Sequence, residues 1–273
     1  MKPLPSVVVA TLAIAVSATT AHAVSRQATK QAQLEPERVA TFAKTLEHEL
    51  AARGTRVAIV SRVGRPQSEL PDGFRYTHTA FAVYSKITTA DGHTVPGYAM
   101  YNLYQNADQL DKSSLITDYP AEFYSDVFEL RSGVIIPTPA MQKRLLQVIG
   151  SQTYQDLHVP NYSSVANPFD DKFQNCTEHT LDVLNSAVYQ TDNMNELKNN
   201  TRAYFEPQSI KVGRLKAWFA SWTNDDITLK DHTDGNIQTA TFTTIGKYMD
   251  QYGLTQNRSE GTRLNSSHVA ISY

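Results

Sequence analysis

The chemistry open to this chain begins with its one cysteine, Cys176, which sits in "FQNCTEHT" with Glu178 and His179 close behind it. A thiol becomes a good nucleophile near neutral pH when a base, usually imidazole, takes its proton and the thiolate is stabilised. Asn175 has the chemistry of a helix N-cap, and Glu178 falls three residues later, in the capping-box position. Cys176 is therefore expected as the first residue of a helix, where unpaired N–H groups and the positive end of the dipole favour a thiolate. His179 lies one turn along the same helix. It is expected on the helix surface, its ring running along the helix rather than facing the sulfur.

Among the eight histidines, His78 is the better partner. It belongs to "FRYTHTAFAVYSKI", residues 74–87, an aromatic and β-branched run with no Pro or Gly inside, which reads as the best strand of the chain. Alternation assigns Tyr76, His78, Ala80 and Ala82 to one face and Thr77, Thr79, Phe81 and Val83 to the other. The small alanines leave room beside the imidazole. "TTADGHT" carries the Asp-Gly signal of a hairpin, and "YAMYNLYQ", residues 98–105, is the return strand. His48 falls off the apolar stripe of its helix, His93 in the hairpin turn, His158 in a long loop and His232 in an acidic segment; all are weaker candidates. That segment, "NDDITLKDHTDGN", lacks the alternating ligands of a calcium loop and is expected to be solvated, so no metal or cofactor is assigned.

These residues need a frame. Pro36 opens a helix with Val39, Phe42, Ala43, Leu46 and Leu50 on one stripe and Gly54 at its exit. "RVAIVS" and "ELRSGVIIP" read as strands, and "SSLITDYPAEFYSDV" as a loop with a helical turn. Thr138-Pro139 opens a helix that Gly150 closes. A long loop, "HVPNYSSVANPFDDKFQ", then leads to the cysteine helix, whose inner face carries Leu181, Leu184, Ala187 and Val188. "NMNELKNNTRAYFEP", "GRLKAWFASW" and "TFTTIGKYMDQYG" follow as helix, strand and helix.

The first 23 residues have the order of a secretory signal peptide: Lys2, an apolar run from Val7 to Val16, and Ala21-His22-Ala23 before the cut. That run is too short for a permanent span, and no later stretch approaches the roughly 20 apolar residues a span requires. A periplasmic or secreted protein is expected, in a compartment where a lone cysteine is a liability unless buried or used. The formal charge is −2, and no segment concentrates Lys and Arg as phosphate binding requires, so nucleic acid is excluded as a partner. Residues 24–257 read as one domain. Residues 258–273 include "TRLNSSH", which resembles the translation of a sequencing adapter, and are expected to be an artefactual or disordered tail.

A histidine strand "YTHTAFAVY", a second strand, and only later a helix-opening "QNCTEHTLDVL" resemble the circularly permuted branch of the NlpC-type papain-like fold. In that branch the histidine strand precedes the cysteine helix. "RYTHTAFAVY", "YNLYQ", "GVIIP" and "NCTEHTLDVL" also resemble a family of exported bacterial proteins of unknown function. The resemblance covers residues 55–190 and implies an α+β, papain-like fold with an antiparallel sheet packed against the cysteine-bearing helix. It implies Cys176 as nucleophile, His78 as general base, and a polar residue on the neighbouring strand that orients the histidine. Asn102 matches by its place in "YNLYQ". A tight Asp91-Gly92 turn would instead set Gln105 opposite His78, and a bulge at Pro96 would flip the facing; Asn102 is preferred and Gln105 kept. The expected activity is thiol hydrolysis or acyl transfer through a thioester, on a small peptide, a peptidoglycan stem peptide or an acyl substrate. The alternative is a catalytically silent, envelope-associated binding module with the same fold.

Overall fold

The computed structural model describes residues 34–89, 91–211, 228–232, 236–265 and 268–269. In chain order its strands are β1 (Val57–Val63), β2 (His78–Thr88), β3 (Thr94–Gln105), β4 (Ser113–Asp118), β5 (Glu129–Pro137), β6 (Gln208–Ile210), β7 (Ile237–Thr239), β8 (Thr255–Asn265) and β9 (His268–Val269). Its helices are α1 (Pro36–Ala52), α2 (Pro120–Phe123), α3 (Pro139–Ile149), α4 (Thr153–Asp156), α5 (Cys176–Tyr189), α6 (Met194–Tyr204) and α7 (Phe242–Gln251). Seven strands form one antiparallel sheet in the order β4-β3-β2-β1-β5-β8-β9, and β6 pairs separately with β7. No helix among the described residues is long and apolar enough to cross a membrane.

Alternation along the central strands divides the core between the two faces of the sheet. Ala58, Val60, Ala80, Ala82, Tyr98 and Met100 pack against the apolar stripe of α1 and against Phe123 of α2. Val57, Ile59, Phe81, Val83, Ala99 and Tyr101 pack on the other side with Leu145 of α3, Leu181 and Leu184 of α5, and Ile245 and Met249 of α7. The helix ends obey local chemistry. Thr138 Oγ1 accepts from Met141 N, Asn175 Oδ1 accepts from Glu178 N, and Gly54 follows α1 at φ +64°.

Three segments differ from their sequence expectations. β2 starts at His78, not at Phe74, so the histidine is the first residue of its strand. Tyr76 leaves the strand path to stack edge-on with Phe242, centroids 4.9 Å apart, and joins the core of Phe81 and Val83 rather than the face of Ala80. Gly133 permits this, because a Cβ there would lie 2.5 Å from the Phe242 ring and 2.8 Å from that of Tyr76. Residues 113–118, read as loop, form β4, paired with β3 from Met100↔Asp118 to Gln105↔Ser113. Residues 258–265, set aside as tail, continue β8 alongside β5, and Arg258 pairs with Asp250 at 2.7 Å. The expected leader, residues 1–23, and the expected strand at 213–222 lie outside the described residues.

Candidate active site

Cys176 is the first residue of α5, as the Asn175 cap requires, and it is 7% exposed. The cap is held firmly: Asn175 Oδ1 also accepts from Thr177 Oγ1 at 2.8 Å, while its Nδ2 donates to the Ser164 carbonyl at 3.2 Å. Burial pushes the Cys176 thiol up to about 11, outweighing the backbone N–H groups of Thr79, Thr177 and Cys176 itself and the charge of Arg62, which all favour the thiolate. The resting group is a neutral thiol. The Thr79 N–H belongs to β2, so the sulfur lies against the residue that follows His78. A narrow cleft of about 40 Å³ opens beside it, walled by Leu70, Phe74, Tyr76, Tyr162, Thr177 and Thr241.

His78 is 4% exposed and pairs across the sheet with Arg62 of β1. Its Nε2 is 3.1 Å from Asn102 Oδ1, its ring stacks on Tyr104 at 4.6 Å with planes 6° apart, and Phe123 packs at 5.6 Å. Burial, reinforced by the Arg62 guanidinium, holds its imidazole well below the usual histidine range, against the Asn102 hydrogen bond. Asn102 Nδ2 donates to the Met100 carbonyl at 3.0 Å and to Asp118 Oδ1 at 2.8 Å. Tyr104 Oη donates to Asp118 Oδ2 at 2.9 Å. Arg62 donates to the Phe123 carbonyl and lies over the rings of Tyr104 and Phe123.

The hairpin explains which residue reaches His78. Thr89 N donates to the His93 carbonyl at 2.8 Å and Gly92, at φ +83°, closes a three-residue loop with its N–H on the Thr89 carbonyl. That is one residue longer than the tight Asp91-Gly92 turn considered from sequence, so the register runs from Thr88↔Thr94 to Phe81↔Tyr101 without a bulge at Pro96. Continued past Phe81, the same register sets Tyr104 opposite His78 and Asn102 on the diagonal. Gln105 points the other way, its Nε2 donating to the Leu110 carbonyl at 2.7 Å. The structure thus joins His78 to Asn102 and not to Gln105.

Cys176 and His78 come from opposite sides of β2. His78 shares the face of Ala80, Ala82 and Phe123, whereas α5 packs on the face of Phe81 and Val83. The sulfur meets the Thr79 amide, next in sequence to His78, while the His78 ring gives its hydrogen bond to Asn102 rather than to the thiol.

The other histidines fall elsewhere. His48 and His93 are exposed, His158 bonds Ser113 Oγ at 3.0 Å, and His232 bonds the Val165 carbonyl at 2.8 Å. The segment of His232 is not a solvated acidic loop throughout, because Asp231 is buried and accepts from Asn167 N at 2.8 Å. Two expectations about α5 are corrected. His179 is not on the surface: it is 2% exposed, 5.0 Å from the Tyr154 ring, and burial with the charge of His158 takes its imidazole down to about 3. Neither of its ring nitrogens makes a well-formed hydrogen bond, although the Leu157 carbonyl is near enough to favour the proton weakly. Glu178 does not cap the helix with its side chain, which turns to Lys198 at 2.7 Å. Asp118, Tyr104 and Arg62 were missed from sequence; "SSLITD" has no alternation that marks it as β4.

Residues 49–249 match the model of a family described as "uncharacterized protein conserved in bacteria" (DUF2145). No curated protein and no solved structure matches the chain. Among the described residues no three His, Cys, Asp or Glu side chains gather in a way that could hold a metal ion.

Proposed function

The chain belongs to that bacterial family, and we propose that it is an exported thiol hydrolase or acyltransferase of permuted papain-like architecture. The nucleophile is Cys176, the base His78 and the orienting residue Asn102. One observation carries the reading: a helix-start cysteine abuts the strand residue next to a histidine whose Nε2 is engaged by an asparagine. That hydrogen bond leaves Nδ1 as the basic atom. The order of histidine strand before cysteine helix, and the antiparallel sheet under α5, are consistent with the permuted arrangement.

In this mechanism a substrate carbonyl enters the cleft beside the sulfur. Nδ1 of His78 takes the Sγ–H proton as the sulfur bonds the acyl carbon, and the carbonyl π electrons move to oxygen. The Cys176 backbone N–H is one donor for that oxyanion. Collapse to the thioester expels the amine or alcohol, which takes the proton from the imidazolium. Water or an acceptor then attacks the thioester with His78 as base, and the thiol is restored. Asn102 is uncharged, so it orients the ring and does little to stabilise an imidazolium. The leader expected from sequence at residues 1–23 directs the reading to envelope substrates: peptide amides, including peptidoglycan stem peptides, or acyl esters.

A second reading is a catalytically silent envelope module with the same fold. It is favoured by a thiol pushed up to about 11 and by a His78 ring with no hydrogen bond to the sulfur. Incubation with an activated ester, such as a p-nitrophenyl ester, followed by mass analysis of the peptide carrying Cys176, separates the two. The hydrolase reading expects an acyl adduct on Cys176, turnover lost in Cys176→Ala, a fall of about 10²–10⁴-fold in His78→Gln, and no effect of a chelator. Absence of the adduct, with Cys176→Ala indistinguishable from wild type, establishes the silent module.

A further inference from the structure

We infer that Asp118 is a positioning residue of this site: its carboxylate fixes the amide of Asn102, and through it the tautomer of His78. The inference rests on the catalytic reading for its consequence in rate, but its geometry stands alone. An asparagine amide has two ends, one accepting and one donating, and what surrounds it decides which end faces which neighbour.

Around Asn102 that decision is forced. Nδ2 faces two acceptors, the Met100 carbonyl at 3.0 Å and Asp118 Oδ1 at 2.8 Å. Burial pushes the Asp118 carboxyl up to about 7, so above that pH it is ionised, and a flipped amide would then set its carbonyl oxygen against both, each contact pairing acceptor with acceptor. Oδ1 must therefore face His78, and the nitrogen 3.1 Å away, Nε2, must carry the hydrogen. A neutral imidazole protonated on Nε2 has its lone pair on Nδ1, the atom the mechanism needs.

The second oxygen of Asp118 completes the arrangement. Oδ2 accepts from Tyr104 Oη at 2.9 Å, and the Tyr104 ring lies parallel to His78 at 4.6 Å. One carboxylate thus fixes the hydrogen-bonding end of the amide and the phenol whose ring sets the plane of the imidazole. Three strands contribute: His78 from β2, Asn102 and Tyr104 from β3, Asp118 from β4. The Met100↔Asp118 pairing holds Asp118 at the place where Asn102 Nδ2 arrives.

The test reads the tautomer directly in the full chain, above neutral pH, by long-range proton–nitrogen correlation of the histidine rings, with His78→Gln assigning the His78 signals. Wild type should show a neutral ring protonated on Nε2. Asp118→Leu, which leaves only the Met100 carbonyl to hold the amide, should move His78 to a mixed or Nδ1-protonated ring. In the same variant kcat for the ester should fall about 10–100-fold with KM little changed, as losses of outer-layer partners do. Asp118→Asn keeps an acceptor for Asn102 while Tyr104 Oη turns to accept. It should restore the Nε2 tautomer and bring kcat back to within about threefold, a recovery scaled to the same range. An Asp118→Leu ring that stays wholly protonated on Nε2 overturns the inference. A wild-type ring protonated on Nδ1 overturns it with no variant needed, so poor folding of a variant cannot rescue it. These spectra are independent of turnover: loss of the hydrolase reading shows in the Cys176 adduct, loss of this inference in the ring.

Discussion

Two buried polar networks, one on α5 and one on the other face of β2, end differently. In one, Lys198 of α6 spends all three N–H bonds, on Glu178 at 2.7 Å and on both oxygens of Asp182 at 2.9 Å. Gln174 adds a bond to Asp182 Oδ2 and reaches the Leu157 carbonyl and Val159 N, tying the long loop to the helix. In the other the bonds run from Tyr104 and Asn102 to Asp118 and end at His78, the residue before the Thr79 whose N–H reaches the thiol. In the first network every N–H of Lys198 is taken and an acceptor, Glu178 Oε2, is left over; in the second the hydrogen bond of His78 goes to Asn102 through Nε2.

The largest effect should come from breaking the Lys198 network. Burial raises Glu178 well above the carboxylate range and raises Asp182 as well; burial alone would lower Lys198, but the two carboxylates outweigh it and raise it. Lys198→Met leaves two buried carboxyls with no cation and should cost about 3–5 kcal/mol in urea unfolding. Replacing all three with apolar residues should recover most of that loss. If Lys198→Met costs under about 1 kcal/mol, the network is not the clamp described here.

His179, buried against Tyr154 and His158, should give the next largest effect, visible only in acid. Its imidazole is held at about 3 in the folded chain against 6.5 for the ordinary group. Below 6.5 the unfolded chain takes up a proton that the folded chain refuses. The stability from keeping His179 neutral is therefore complete above 6.5 and drains away as pH falls toward about 3, by roughly 3–5 kcal/mol in all. His179→Leu should flatten the fall in Tm between these limits relative to wild type. Parallel Tm curves would show that the ring is not buried neutral.

The network of His78 should respond in rate more than in stability. Asn102→Ala should lower ester turnover about 10–100-fold, while Gln105→Ala, on the far face of β3, should change it by less than about threefold on the same scale. The reverse order would reinstate the tight-turn register. The thiol offers a companion measurement: with Cys176 pushed up to about 11, alkylation by iodoacetamide should be slow at neutral pH and climb steadily through pH 9 to 11 as thiolate forms. A plateau near neutral pH would mean a pre-formed thiolate and a site more activated than this one.

The parts legible in the sequence were those written in neighbouring residues. The stripe of α1, the Thr138 and Asn175 caps, and the start of α5 at Cys176 need only periodicity and a polar side chain at the right offset. The pairing of His78 with Asn102 was open because one residue in the hairpin loop decides which side chains of β3 share its face. Other features were hidden because their partners are far along the chain. Glu178 looked like a cap until Lys198 supplied a stronger partner, and His179 looked exposed until Tyr154 and His158 covered it. Asp118 lay in a Ser- and Asp-containing run of low β-propensity, and only pairing with β3 makes it a strand.

The smallest effect probes the cap on which both Cys176 and Glu178 depend. Asn175 Oδ1 accepts from Glu178 N at 2.9 Å, and Nδ2 bonds the Ser164 carbonyl and, at 3.4 Å, Thr239 Oγ1. Asn175→Ala removes the acceptor and should cost about 1 kcal/mol by urea unfolding. Asn175→Ser keeps an acceptor for the helix N–H but gives up the tie to Ser164. If the cap bond is the larger share, Ser should be nearer to wild type than to Ala. The thiol responds to the same change, because the first-turn N–H groups of Cys176 and Thr177 are among those that favour its thiolate. Fraying that turn in Asn175→Ala should raise the alkylation midpoint, whereas Asn175→Ser should leave it near wild type. Equal midpoints in all three chains would mean that the Thr79 N–H of β2, not the helix start, is what the sulfur feels.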